Sequence, residues 1–133
     1  MHTIGLALSA LVALIHVYIF VLESVLWTKP AGRKVFQNSA EKAEVTKVLA
    51  LNQGAYNLGL SAAIVWGLAS GAEQLPRTSA VLVYVALMGV VGAVTAAPKI
   101  LLVQTVPAVL ALGALWVGRY LPLVATVSRS TAS

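Results

Sequence analysis

Residues 3–27, TIGLALSALVALIHVYIFVLESVLW, decide the fold, because an apolar run of this length crosses the hydrocarbon core of a bilayer as one helix. Three further apolar runs follow it. We therefore predict four membrane-spanning helices, at about residues 3–27, 39–69, 79–97 and 100–121. The connections are short, so the predicted fold is all-α: a polytopic membrane protein whose residues 1–133 form a single four-transmembrane-helix bundle.

The composition favours the same architecture. Apolar residues make up 59% of the chain and charged residues 10%, whereas soluble domains average roughly half and a quarter. A chain of 133 residues cannot bury that much apolar surface within itself, so part of it faces lipid. This excludes a cytosolic enzyme, a nucleic-acid-binding module and a disordered tail.

The positive charges predict the orientation. They lie at the ends of the apolar runs and form no stripe of the kind that binds nucleic acid. Six lie in the first and third connections, and three lie elsewhere: Lys29, Arg33, Lys34, Lys42, Lys47 and Lys99 against Arg77, Arg119 and Arg129. By the positive-inside rule, we expect a multi-pass plasma-membrane protein with a cytoplasmic first connection and both termini outside.

Short motifs predict where the second and fourth spans begin and end. The motif NSAE, residues 38–41, predicts a helix N-terminus with Asn38 as the N-cap and Glu41 at the third helical position, so that the second helix starts near Ser39. In the charged turn that follows, Glu44 and Lys47 are spaced to pair on one helix face. We expect Pro122 to close the fourth span, and Pro107 to remove a backbone donor within that span and kink it.

Polar side chains inside the spans indicate where function lies. An ionisable group within a membrane costs at least about 2.5 kcal/mol, so such groups usually mark a functional site. His16 and Glu23 are seven residues apart in the first span, which places them on one helix face together with Trp27. The second and fourth spans add amide and phenol side chains: Asn52, Gln53, Tyr56, Asn57 and Gln104.

Depth places these side chains towards one side of the membrane. Counting about 1.5 Å per residue from the side of the first connection gives two polar layers. The shallower layer holds Glu23, Asn52, Gln53, Thr95 and Gln104, and the deeper layer holds His16, Tyr56 and Asn57. The opposite halves of the spans are almost purely apolar, so we predict a polar pocket near the cytoplasmic side.

The pocket residues fall into two candidate roles. His16 and Glu23 are the candidate catalytic residues, since a carboxyl and an imidazole can pass a proton between them. The candidate ligand-binding residues are Trp27, Asn52, Gln53, Tyr56, Asn57 and Gln104. Structural interpretations stay open: the amides can bridge helices, and His16 can be a hydrogen-bonded strut. Glu23 can pair with Lys99 or Lys29 as a structural tie.

The sequence indicates no metal or cofactor. The chain has no cysteine, which excludes thiolate nucleophiles and Cys-ligated metals. His16 and Glu23 alone fall short of the three protein ligands that a zinc site needs. Haem would need a ligand shared across a dimer or an unusual second ligand. The chain contains no nucleotide-binding fingerprint or catalytic-triad motif.

Three segments of the chain are distinctive in combination. They are residues 16–27 (HVYIFVLESVLW) with the following RKVF, residues 47–57 (KVLALNQGAYN), and residues 100–107 (ILLVQTVP). Together they resemble the DUF1304 family of small bacterial membrane proteins, and the resemblance covers nearly the whole chain. It implies a four-span protein of the bacterial inner membrane whose signature residues are those singled out above. It implies no activity.

Three functions are therefore open. The first is an intramembrane pocket that binds a small apolar or amphipathic molecule, with acid/base catalysis undecided. The second is a small proton-coupled exporter acting as a homodimer, although Glu23 lies closer to the end of its span than in small multidrug-resistance transporters. The third is an accessory subunit of a membrane complex, docked through small residues of the third span. The expected partners are the lipid membrane, a small apolar ligand and a second copy of the chain, and no nucleic acid.

Overall fold

The computed structural model describes the backbone of residues 2–130 and the side chains of residues 2–120. Within this part the chain is helical and contains no strand. The helices are α1 (His2–Ser24), α2 (Pro30–Phe36), α3 (Ala40–Leu68), α4 (Gln74–Thr95) and α5 (Val106–Ser130). A short 3-10 turn precedes α4, and a π-helical segment precedes α5. Four helices are long and apolar enough to cross a membrane, which confirms the predicted all-α membrane fold.

The four long helices form a bundle in which each contacts two neighbours. α1 packs against α3 and α5, and α4 packs against the same two helices. α1 and α4 therefore lie diagonally opposite each other. The short helix α2 belongs to the connection between α1 and α3.

α3 begins at Ala40, one residue after the predicted start, because Ser39 and not Asn38 is its N-cap. The Ser39 side chain accepts a hydrogen bond from the backbone N–H of Lys42 over 3.1 Å, which satisfies one free donor of the first turn. The predicted ion pair between Glu44 and Lys47 also forms, and both side chains are more than half exposed.

Other helix boundaries differ from the prediction. α1 ends at Ser24, so Trp27 lies in the following turn and not on the helical stripe of His16 and Glu23. α4 begins at Gln74, five residues early, because Pro76 falls in its first turn, where the missing N–H has no helical partner to lose. The prediction that Pro122 closes the fourth helix is wrong. α5 continues to Ser130, and membrane helices tolerate proline when only one backbone donor is lost.

One end of the bundle, which we call the closed end, is shut by close helix contacts. A Cβ on Gly5 of α1 would lie 2.6 Å from the backbone nitrogen of Leu115 in α5. A Cβ on Gly67 of α3 would lie 2.9 Å from the hydroxyl oxygen of Thr78 in α4. The buried apolar core joins all four long helices next to these contacts: Val12, Ala13, Ile64, Leu82, Val85, Ala108, Ala111 and Leu115.

The other end, which carries α2, is the open end. There, Gly54 of α3 lets α1 approach so closely that an added Cβ would collide with the Ser24 hydroxyl. Likewise, a Cβ added to Gly89 of α4 would collide with the hydroxyl of Thr105, next to α5. At this end the close contacts therefore join α1 to α3 and α4 to α5, but not α3 to α4.

The expected irregularity at Pro107 takes the form of a π-helical segment, Leu101–Thr105. The N–H of Val106 donates to the carbonyl of Leu101, five residues back. Such a segment inserts an extra residue and shifts the side chains that follow relative to a regular helix. Gln104 lies within it, so this irregular turn helps to decide which way that side chain faces.

Candidate functional site

A cleft of about 1000 Å³ enters the bundle between α3 and α4 at the open end. α1 contributes its back wall, and the π-helical segment contributes part of its floor. Its polar lining comes from α1, α3, α4, the π-helical segment and the turn that precedes it: His16, Tyr18, Glu23, Gln53, Tyr56, Asn57, Tyr84, Thr95, Lys99 and Gln104. Its apolar lining is more extensive and includes Ile19, Leu22, Leu60, Val85, Met88, Val91 and Val103.

Six of the eight predicted site residues line this cleft. They are His16, Glu23, Gln53, Tyr56, Asn57 and Gln104. Asn52 does not, because it lies on the exposed outer side of α3. The rotation of α3 explains the difference, since Gly54 faces α1 and thereby turns Asn52 outwards.

Glu23 is held by an amide across the α1–α3 interface. The Asn57 side-chain nitrogen donates to a carboxylate oxygen of Glu23 over 2.9 Å. The same nitrogen donates to the backbone carbonyl of Gln53 over 3.1 Å, which fixes its orientation. The predicted assignment of Glu23 and Asn57 to separate layers is therefore too simple, because the long Glu23 side chain spans the distance between them.

Neither of the lysines considered as partners of Glu23 pairs with it. The Lys99 ammonium donates instead to the backbone carbonyl of Val35 over 3.0 Å. Among the residues whose side chains are described, the ion pair found is that of Glu44 and Lys47. The contact that Glu23 makes is thus the amide hydrogen bond from Asn57, inside the bundle and on the wall of the cleft.

His16 is the most completely buried ionisable side chain of the cleft, with 1% of its surface exposed. Its Nδ1 lies 2.8 Å from the carbonyl oxygen of Val12. A carbonyl can only accept, so Nδ1 carries the proton and donates it. In the neutral ring this leaves Nε2 as an acceptor, and Nε2 has no partner among the described residues.

Trp27 belongs to a second cavity, of about 670 Å³, beside the cleft at the α2 end. Its indole N–H donates to the Thr46 hydroxyl over 3.1 Å, and its ring lies 4.8 Å from that of Phe36. The two cavities share Glu23 and Gln53 in their walls. No sequence signal points to Thr46, which lies in the charged turn that the sequence predicts to be a solvated surface.

The described residues do not group three His, Asp or Glu side chains closely enough to hold a metal ion. What the cleft offers is hydrogen bonding: an acceptor on His16, a carboxylate on Glu23, and amides and phenols around them. Proton exchange is the chemistry that His16 and Glu23 could support.

Four long apolar helices define a multi-pass all-α membrane protein. The chain belongs to the family described as "Protein of unknown function (DUF1304)", which matches residues 10–116. The match contains every residue of the candidate site and confirms the resemblance seen in the sequence.

A curated relative is similar over most of its length. The chain is 32% identical over 114 residues to the "Uncharacterized protein YpaA" of Lactococcus lactis subsp. lactis (strain IL1403). The aligned region covers 84% of this chain and 96% of that protein. No solved structure matches the chain.

Proposed function

We propose that this protein binds a small apolar or amphipathic molecule in the cleft between α3 and α4. The observation that carries the proposal is the grouping of His16, Glu23 and Asn57 in the wall of one open, largely apolar cleft. Residues that serve only to tie helices together need no such space beside them. We place the protein in the bacterial inner membrane with α2 on the cytoplasmic side and both termini outside, as the positive charges favour.

The size and lining of the cleft support a ligand of this kind. Sites for small molecules are typically about 300–1,000 Å³, mostly apolar, with a few polar groups that fix orientation. The cleft reaches the upper end of that range. Tyr56 and Tyr84 stand at its sides with 66% and 52% of their surfaces exposed, so a ligand enters from the side of the bundle.

The proposed roles follow from what each polar group can donate or accept. Glu23, fixed by Asn57, would accept or carry a proton, and His16 would act as its deeper partner. Gln53, Tyr56 and Gln104 would orient the ligand. An enzyme would convert the bound molecule and would lose this turnover in Glu23→Gln. A binding protein would show no turnover in either form.

Native mass spectrometry of the full chain, gently extracted from its own membrane, tests the proposal. We expect a discrete bound mass in the wild type that is lost in Asn57→Leu. Asn52→Leu is the matched control, since the same change on the same helix falls outside the cleft. It should keep the bound mass.

Two results would overturn the proposal: a wild-type protein without any bound molecule, or equal retention in both leucine variants. The same spectra report the oligomeric state. An empty homodimer that releases protons when an exported substrate is added would favour the exporter.

A further inference from the structure

We infer that the ligand of the cleft is an amphipathic alcohol, whose hydroxyl group donates a hydrogen bond to Nε2 of His16. The inference rests on the proposed function and gives it a chemical class: an apolar body that carries a hydroxyl. Long-chain and isoprenoid alcohols are molecules of this class. Fatty acids, amines and ethers of similar size are not.

The hydrogen bonding of the His16 imidazole determines which group a ligand must supply. Nδ1 is committed to the Val12 carbonyl over 2.8 Å, so the free ring nitrogen is an acceptor. Nε2 is buried and has no hydrogen-bond partner among the described residues. A buried acceptor without a donor is unfavourable, and a ligand that supplies the donor removes that penalty. His16 lines the cleft, so a donor in the cleft reaches Nε2 once the side chains that cover this nitrogen shift.

Among the groups that could bind beside His16, a neutral hydroxyl fits the lining of the cleft best. The wall of the cleft is mainly apolar, with Ile19, Leu60 and Met88 among its residues, so a charged ammonium group would lose its hydration there. Pairing with the Glu23 carboxylate does not offset this loss, because the desolvation cost of a buried ion pair can exceed its Coulombic gain. A carboxylate or phosphate has no proton to give to Nε2, and it would also meet the Glu23 carboxyl, which is another acceptor. A neutral hydroxyl meets both requirements, because it donates one hydrogen bond and carries no charge.

The test uses two isomers that differ only in the hydrogen-bond donor. Dodecan-1-ol has a hydroxyl, and 1-methoxyundecane has the same atoms arranged as an ether. Both are titrated into the purified full-length protein in detergent, and binding is measured by native mass spectrometry. We expect the alcohol to bind about tenfold more tightly, the value of one hydrogen bond to a buried acceptor. Dodecanoic acid and dodecylamine should bind no better than the ether.

Replacing His16 tests whether the preference for the alcohol over the ether depends on this residue. His16→Leu should bind the two isomers equally, because the acceptor is gone while the apolar wall remains. A preference for the alcohol that survives in this variant would overturn the inference.

The His16→Leu variant is informative only when it folds. A second measurement on the wild type therefore uses ¹⁵N-histidine NMR, in which the alcohol, but not the ether, should shift the Nε2 resonance of His16. His2→Gln assigns the signal, since the chain has two histidines.

The outcomes separate this inference from the proposed function. If the wild type binds both isomers equally, or the Nε2 resonance does not move, the hydroxyl is not recognised and the inference fails while the cleft still binds an apolar molecule. If the acid or the amine binds best, the ligand class is wrong. If none of the four compounds binds, and the protein also carries no native ligand, the proposed function fails with it.

Discussion

The closed and open ends of the bundle use the same device, a glycine at a helix crossing, to opposite effect. At the closed end, Gly5 and Gly67 bring α1 to α5 and α3 to α4. At the open end, Gly54 and Gly89 bring α1 to α3 and α4 to the start of α5. The close contacts thus change partners along the bundle, and the gap between α3 and α4 is the result. In this bundle the cleft lies between the two helices that no close glycine contact joins at the open end.

The largest expected effect comes from crowding the closed end. In Gly5→Ala the new Cβ would meet the backbone of Leu115, so α1 or α5 must move. We expect a loss of about 1–3 kcal/mol in the free energy of unfolding, as for overpacked cores. Gly113→Ala is the control, because nothing lies within 4 Å of the added Cβ. Thermal unfolding in detergent measures both, and equal midpoints would show that this contact does not hold the closed end.

A smaller loss is expected at the open end when the partner of Glu23 is removed. Asn57→Leu leaves the Glu23 carboxyl in the bundle without its amide donor, which should cost about 1–3 kcal/mol. The cost falls towards the lower end because water can enter the cleft. Asn52→Leu should leave stability unchanged, since that side chain is exposed. Equal unfolding midpoints for the two variants would mean that the hydrogen bond from Asn57 does not stabilise the interface.

The contact between the α1–α2 turn and α3 should be weaker still. Thr46→Val removes the acceptor of the Trp27 indole N–H and should cost about 1 kcal/mol. Thr95→Val is matched to it, because the Thr95 hydroxyl bonds only to a carbonyl of its own helix. Tryptophan fluorescence during unfolding reports both variants. An equal loss of unfolding free energy in Thr95→Val would mean that replacing threonine within a helix, and not the lost contact with Trp27, causes the effect.

The smallest effect is expected for the surface ion pair of α3. Glu44 and Lys47 are 60% and 55% exposed, so Glu44→Gln should change the free energy of unfolding by less than about 0.5 kcal/mol. Any effect should disappear in about 1 M salt, where exposed charges are screened. A loss that is independent of salt would point to a structural role for this turn.

The fold could be predicted because the property that selects it, a lipid-crossing apolar run, is written directly in the sequence. The end of α1 could not be predicted in this way. The apolar run continues to Trp27 without a breaker, and the helix ends at Ser24 in the structure, where Trp27 meets Thr46. Such tertiary contacts leave no local signal.

The sequence indicates which residues could form the candidate site, but it does not indicate which way their side chains face. His16 and Glu23 stand out because ionisable residues are rare inside membranes. The rotation of α3 decides that Gln53 and Asn57 face the cleft and that Asn52 does not, and this rotation follows from the packing of Gly54 against α1. A helical wheel ranks side chains by angle, but only the neighbouring helix decides which angle points inwards.

The sideways opening between Tyr56 and Tyr84 determines how affinity for this cleft should be counted. A molecule that enters from the bilayer is present at its mole fraction in lipid, not at its concentration in water. Each added methylene favours transfer into lipid by about 0.8 kcal/mol, or roughly fourfold. Longer homologues will therefore bind at lower total concentration even when their contacts with the protein are identical. Specificity among homologues of different length is therefore compared at equal amounts of ligand per lipid.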